Sequence, residues 1–193
     1  PPRTSKQSAE MVIILEDIDP KSPEGRIRET IFLPKGRGKD LGICVVADGD
    51  IARKASEAGA KRVITGDELK SISKKDAKKI AEQCDWVLVS TPLMSLAGRV
   101  LGPALGPRGK APVPVPPTSD IASTINRYRS AVVVRIKDQP QLMTAIGTID
   151  MSIDDLVENA EAVLSTIVSK LPAGANNISE IYVKTTMGPS IPV

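Results

Sequence analysis

From residue 41 the chain settles into a rhythm that leaves few folds open. "ICVVA" is followed by "DIARKASEAG", "KRVITG" by "DELKSI" and "KKDAKKIAEQ", and "WVLVST" by "PLMSLAGRVL". Each apolar run is too short for a buried helix and too continuous for a half-exposed strand. Each is followed by a stretch of helical character. Strand and helix in strict alternation predict βαβ units around a parallel sheet covered on both faces.

The chain on either side reads differently. "EMVIILEDI" (10–18) and "RIRETIFLP" (26–34) are β-branched runs around the turn-formers of "DPKSPEG", and are expected to pair antiparallel. In the second run Ile27, Ile31 and Leu33 share a face with Glu29 as its exception, against Arg28, Thr30 and Phe32. "KGRGKD" (35–40) then reads as a flexible basic connection. Past the parallel segment, Thr118 or Ser119 is placed to cap a helix running to about Arg129. Antiparallel character returns in "AVVVRIKD" and "QLMTAIGT", separated by "QP". "MSIDDLVENAEAVLSTIVSK" then puts Ile153, Leu156, Val157, Ala160, Leu164, Ile167 and Val168 on one helical face, with Ser152 and Asp155 in capping-box positions. "ISEIYVKTTM" closes as a last strand.

The expected architecture is therefore α/β: an α+β outer domain from residues 1–40 and 131–193, with a Rossmann-like α/β domain, 41–130, inserted into it. Two crossing segments would form a natural hinge.

Composition removes several functions. Histidine is absent, which excludes most general-base, triad and zinc-hydrolase mechanisms near neutral pH. Cys44 and Cys84 have no CxxC spacing and suggest neither zinc nor a disulfide framework. No window approaches the ~18 apolar residues of a membrane span, and no signal-like leader is read, so a cytoplasmic protein is expected. Because the first residue is Pro1, the native start is expected to lie upstream. Residues 41–131 carry 14 basic and nine acidic side chains, whereas the flanks together are slightly acidic. That distribution permits a polyanionic partner.

The stretch "LGPALGPRGKAPVPVPPTSD" (101–120) invites a phosphate-loop reading and fails it. Ala104 stands where the template needs Gly and Ala111 where it needs Ser or Thr. The following prolines supply no amides and open no helix for a phosphate to sit on, so the stretch is expected to be a stiff connection after a helix. "ADGDIA" has one glycine where a dinucleotide fingerprint needs three. Asp154, Asp155, Glu158 and Glu161, like Lys74, Lys75, Lys78 and Lys79, are expected to form solvated helix faces rather than catalytic clusters. With one Trp, two Tyr and one Phe, base-stacking platforms are scarce. RNA binding would then rest on hydroxyls, 2′-OH contacts and close main-chain approach, chemistry that "KTTMGPS" (184–190) offers.

Taken together in this order, "LGPALGPRGKAPVPVPPTSDI", "GTIDMSIDDLVENAEAVL" and "YVKTTMGPS" resemble the ribosomal protein L1 family, in its archaeal branch. The resemblance runs nearly end to end. It implies the two-domain L1 fold, no enzymatic activity, no cofactor and no metal. It also implies a chain that is monomeric when free and works in the ribosome's large subunit. Its implied partners are the L1-stalk rRNA, a similar structure in its own mRNA, and deacylated tRNA at the exit site. In the family an N-terminal F-x-x-S/T-x-E segment meets a Thr-Met-Gly near the C-terminus on domain I. Here those positions are Ser5, Gln7, Ser8 and Glu10 with Thr186, Met187 and Gly188, and Ser5 stands where phenylalanine is usual. Arg3, Lys35, Arg108, Lys110, Lys137 and Asp138 are candidate secondary RNA contacts. The readings from other classes are an α/β nucleotide-dependent enzyme and a protein-binding hinge scaffold.

Overall fold

The computed structural model describes residues 7–186 and 190–193. In chain order its first elements are β1 (Ser8–Leu15), β2 (Arg28–Phe32), β3 (Ile43–Val46), α1 (Gly49–Glu57), β4 (Arg62–Ile64), α2 (Gly66–Lys70) and α3 (Lys74–Gln83). Then come β5 (Trp86–Ser90), α4 (Met94–Leu105), β6 (Pro112–Val115), α5 (Ile121–Tyr128) and β7 (Ala131–Arg135). β8 (Gln141–Thr148), α6 (Ile153–Lys170), β9 (Ile178–Thr185) and β10 (Ser190–Pro192) complete the order. The chain forms two compact units, one from the segments ending at Lys39 and beginning at Ser130, the other from Asp40–Arg129.

The second unit is a parallel sheet of order β4-β3-β5-β6. Its strands feed two cores because successive side chains point to opposite faces. Cys44, Val46, Val87 and Val89 join the core with α3 and α4, whereas Ile43, Val45 and Leu88 join the one with α1 and α5. Trp86 packs edge-on against Tyr128 with ring centroids 5.0 Å apart, so these aromatics serve packing.

Three expectations for this unit are corrected. Asp120, not Thr118 or Ser119, caps α5, its carboxylate accepting the Ser123 amide at 3.2 Å. The proline-rich stretch is more than a stiff connection, since residues 112–115 form β6, the edge strand beside β5. Alternation turns the amide positions of Val113 and Val115 toward β5 and those of Pro112 and Pro114 outward, where a missing donor costs nothing and blunts the edge. Most consequentially, Cys44 and Cys84 are joined in a disulfide. Spacing in sequence hid it. Parallel pairing puts Cys44 in the central strand, and α3 ends with Cys84 as its C-cap, leaving the Cα atoms 5.7 Å apart.

The first unit is built on β1, which pairs antiparallel with β8 on one side and β9 on the other, in a sheet of order β10-β9-β1-β8. Ala9, Met11, Ile13 and Leu15 point into the core and α6 covers it. The hairpin expected between β1 and β2 is not formed. β2 pairs with β7 in a separate two-stranded sheet, because residues 16–27 are occupied by a turn at Asp17 and a capped 3-10 turn at Pro23–Gly25 rather than a tight reversal. β7 and β8 likewise pair with β2 and β1, not with each other. β9 is followed by β10, so it is not the last strand.

Ser152 caps α6 as expected, accepting the Asp155 amide at 3.1 Å. The buried stripe is rotated from the expected one. Ile153 and Val157 are 77% and 46% exposed, while Asn159, Val163 and Ile167 are buried. Leu156, Ala160 and Leu164 pack beside them. Asp154, Glu158 and Glu161 lie on the exposed side.

The disulfide closes a loop of 40 residues, and chain-entropy arguments give such a link about 4 kcal/mol of stability. Unfolding the protein in reductant and refolding it with both thiols blocked should therefore lower the midpoint of the second unit's thermal transition. Equal midpoints for the oxidised and the blocked forms would contradict this.

Candidate nucleic-acid interface

The sheet of the first unit ends where β1 begins, and there the two extremes of the chain meet. The Ser8 amide donates to Thr186 Oγ1 at 3.0 Å, and the Thr186 hydroxyl donates back to the Ser8 carbonyl at 3.1 Å. The Thr186 amide also donates to that carbonyl at 3.1 Å. One threonine hydroxyl thus completes the pairing that the strand backbone alone leaves open. Beside it the Ile149 amide donates to the Gln7 carbonyl at 3.1 Å.

A bulge sharpens this end. The β1–β8 register shifts between Ala9 and Glu10, so that Ala9 faces Gly147 and Glu10 faces Ala145. Gly147 has φ 143°, and a Cβ there would press on Met151 Sδ and Leu156 Cδ2; glycine is required at this approach. Thr148, fully buried, donates its hydroxyl to Asp150.

The basic segment 35–39 reaches the same place, and it is held rather than flexible. Asn159, buried in α6, accepts the Lys35 amide at 2.8 Å and donates to the carbonyls of Gly36 at 2.9 Å and Ile146 at 2.8 Å. Arg37 donates to the Ala131 carbonyl at 3.2 Å. Lys39 donates through Nζ to Ser8 Oγ at 2.7 Å. Neither Asn159 nor Lys39 was singled out by sequence reasoning. A lone asparagine between Leu156 and Val163 was the only signal for the first.

Of the residues expected to bind RNA, Gln7, Ser8 and Thr186 are brought together here. Glu10 lies two residues along β1, opposite Lys184 on β9, and lines a cavity of about 240 Å³ with Arg37, Val132, Val133, Met143, Thr144 and Ala145. Arg3, Ser5, Met187 and Gly188 fall outside the described residues. Lys35 sits on the held segment with Nζ 3.6 Å from Glu158. Lys137 and Asp138 are exposed in the β7–β8 loop, at the other end of the sheet, where β8 starts opposite Ile14. Eight residues of strand separate the two ends by about 24 Å.

Arg108 and Lys110 belong to the second unit, where both cations are used internally. Arg108 donates to the Ala104 carbonyl at 2.9 Å and to Glu82 at 3.0 Å. Lys110 Nζ donates to the carbonyls of Ala81 and Cys84 at 2.7 and 2.8 Å, satisfying the C-terminus of α3. Burial holds its pKa below the ordinary lysine value. The crevice where a nucleotide would sit on such a sheet has the wrong sign. Asp48 and Asp50 flank the start of α1, and the Asp48 carboxylate accepts the Gly66 amide at 2.8 Å. Hydrogen bonds from Arg53 and Lys54 keep Asp50 below the usual carboxylate range, hence ionised. Two carboxylates there repel phosphate. Among the described residues no group of three potential ligands could hold a metal ion.

A family model described as "Ribosomal protein L1p/L10e family" matches residues 2–189. The chain belongs to that family. Its relatives include the large ribosomal subunit protein uL1 of Staphylothermus marinus, 67% identical over 193 residues, spanning 100% of this chain and 90% of the relative. The protein of the same name from Hyperthermus butylicus is 53% identical over 195 residues, with 100% and 89% covered. That from Aeropyrum pernix is 55% identical over 190 residues, with 97% and 86% covered. The family is one of ribosomal proteins, not enzymes.

For this family member, Asn159→Ala removes one acceptor and two donors from main-chain partners, of which the Ile146 carbonyl is buried and those at Lys35 and Gly36 are part-buried, and should cost on the order of 3 kcal/mol in urea unfolding. A change below the error of the measurement would show that water or a shifted backbone satisfies those groups. Lys110→Ala should lower the stability of the second unit while leaving RNA affinity nearly unchanged. A large loss of affinity with stability preserved would reverse that assignment.

Proposed function

We propose that this chain is a structural constituent of the large ribosomal subunit. In this reading it binds the stalk rRNA through the sheet end of the first unit, the discontinuous domain. The observation that carries the reading is the Ser8–Thr186 pairing. It gathers hydroxyls and main-chain groups with a lysine at a glycine-lined strand end. This chemistry suits 2′-hydroxyls and phosphates in a molecule poor in exposed aromatics. Glu10 and Lys184 extend the surface along β1 and β9, and Met187 and Gly188 follow Thr186 directly in the chain. The names of the relatives support the ribosomal assignment.

Two finer roles follow from the same surface. A folded segment of the chain's own mRNA that imitates the stalk would compete for it, so that free protein represses its own translation. On the ribosome, a protein fixed to the mobile stalk would assist release of deacylated tRNA from the exit site. Both roles place the protein in the cytoplasm on the ribosome, and require no cofactor and no second copy of the chain.

Binding to an isolated stalk-rRNA fragment, titrated against an unrelated RNA hairpin at physiological salt, tests the reading. Clear preference for the fragment, weakening as salt rises, is expected. Equal binding to both RNAs would remove the RNA-binding role. Gly188→Val, placing a branched side chain where close approach is proposed, should weaken fragment binding at least tenfold, about 1.4 kcal/mol, with the thermal midpoint unchanged. Unaltered affinity would show that Gly188 is not at the contact.

A further inference from the structure

We infer that Lys39, on the segment leading out of the first unit, is a phosphate-contacting residue of the RNA surface, and that Gly38 and the Ser8 hydroxyl position it. The inference rests on the RNA-binding reading above and deepens it.

The segment "KGRGK", residues 35–39, carries three cations separated by glycines, and its tethers treat the cations differently. Lys35 has a carboxylate, Glu158, at 3.6 Å. Arg37 turns back to the main chain at Ala131. Lys39 instead donates to a neutral hydroxyl, Ser8 Oγ, at 2.7 Å, and among the described residues its ammonium meets no carboxylate within ion-pair distance. A lysine ammonium has three donors, so a full charge and two donors remain for a ligand. They remain at the point where the Ser8–Thr186 pair closes the sheet.

The backbone is shaped to put that ammonium there. Asn159 holds Lys35 and Gly36 from the side of α6. Gly38 has φ 72°, and a Cβ on it would collide with Thr148 Oγ1 and Met151 Sδ. Only glycine lets the segment lie against the end of β8, and from there the next side chain reaches Ser8. Ser8 is itself fixed through both backbone groups by Thr186, so the lysine is steered by a rigid partner. A compact cation on a long stem, docked by one hydroxyl, suits a non-bridging phosphate oxygen.

The test is a salt titration of stalk-fragment binding by fluorescence anisotropy, using the full chain and its Lys39→Gln, Lys39→Arg and Ser8→Ala variants. Each phosphate neutralised contributes about 0.7–0.9 to the slope of log K against log salt. Lys39→Gln should bind five- to tenfold more weakly at physiological salt and lose close to one unit of that slope. Lys39→Arg should keep the slope. Ser8→Ala should lose affinity but retain the slope, since the charge stays while its position loosens. If Lys39→Gln binds as the parent does, or binds more weakly with the parent's slope, the residue makes no phosphate contact and the inference is overturned. A parent chain that binds the fragment no better than the unrelated hairpin would remove the RNA reading itself, and this inference with it.

Discussion

The first unit depends on a strand near the beginning of the chain being hydrogen-bonded on both sides by strands from near its end. β1 has β8 on one side and β9 on the other, and the Ser8–Thr186 bonds span 178 positions. Neither flank of the chain completes the sheet alone, because β1 comes from one flank and β8, β9 and β10 come from the other. The second unit has no such requirement. Its strands are linked by the helices that cover them, and its contacts close over short loops. Long-range pairing carries a larger loop-closure entropy, so the fold places its largest nonlocal cost in the first unit, in the β2–β7 pair and above all in the sheet around β1. The end of the β1 sheet is also where the groups proposed to bind RNA collect.

That coincidence has a physical basis. A surface made by two distant chain segments exists only in the folded molecule, and its groups are placed by bonds that both segments must supply. Thr186 fills the hydrogen-bonding deficit of Ser8. The bulge at Ala9 and Glu10 turns the strand end, and Gly38 and Gly147 remove side chains from a crowded corner. Asn159 ties the outgoing segment to α6 and β8 at once. Polar groups that look solvent-facing along a helix can thus be the best buried, provided each donor and acceptor is satisfied.

Much of this was legible locally. The strand-helix alternation of the middle segment, the strand character of the flanks, the Ser152 cap and the solvated acidic face of α6 follow from period and capping chemistry, which act over a few residues. The same local rules failed wherever a partner had to be chosen. β1 and β2 are neighbours in sequence and carry the right pattern for a hairpin, yet each satisfies its edges elsewhere. Helical spacing assigned Ile153 and Val157 to the core and missed Asn159, because a moment over residues does not say where the covering sheet ends. Cys44 and Cys84 appeared unrelated at a separation of 40 positions until a strand and a helix end brought them together.

For the candidate site the division is similar. The family resemblance singled out Gln7, Ser8 and Glu10, residue chemistry pointed to the segment that holds Thr186, and the absence of histidine and of a phosphate loop turned attention away from catalysis. The sequence by itself therefore determined which elements form and what kinds of group are present, since periodicity, turn chemistry and composition are short-range properties. Tertiary structure alone decided that Lys39 meets Ser8, that Arg108 and Lys110 are spent on helix ends, and that Lys137 and Asp138 stand at the far end of the sheet. Those facts depend on strand partners and register, and these are settled by burial and hydrogen bonding across the whole unit rather than by any residue's neighbours in the chain.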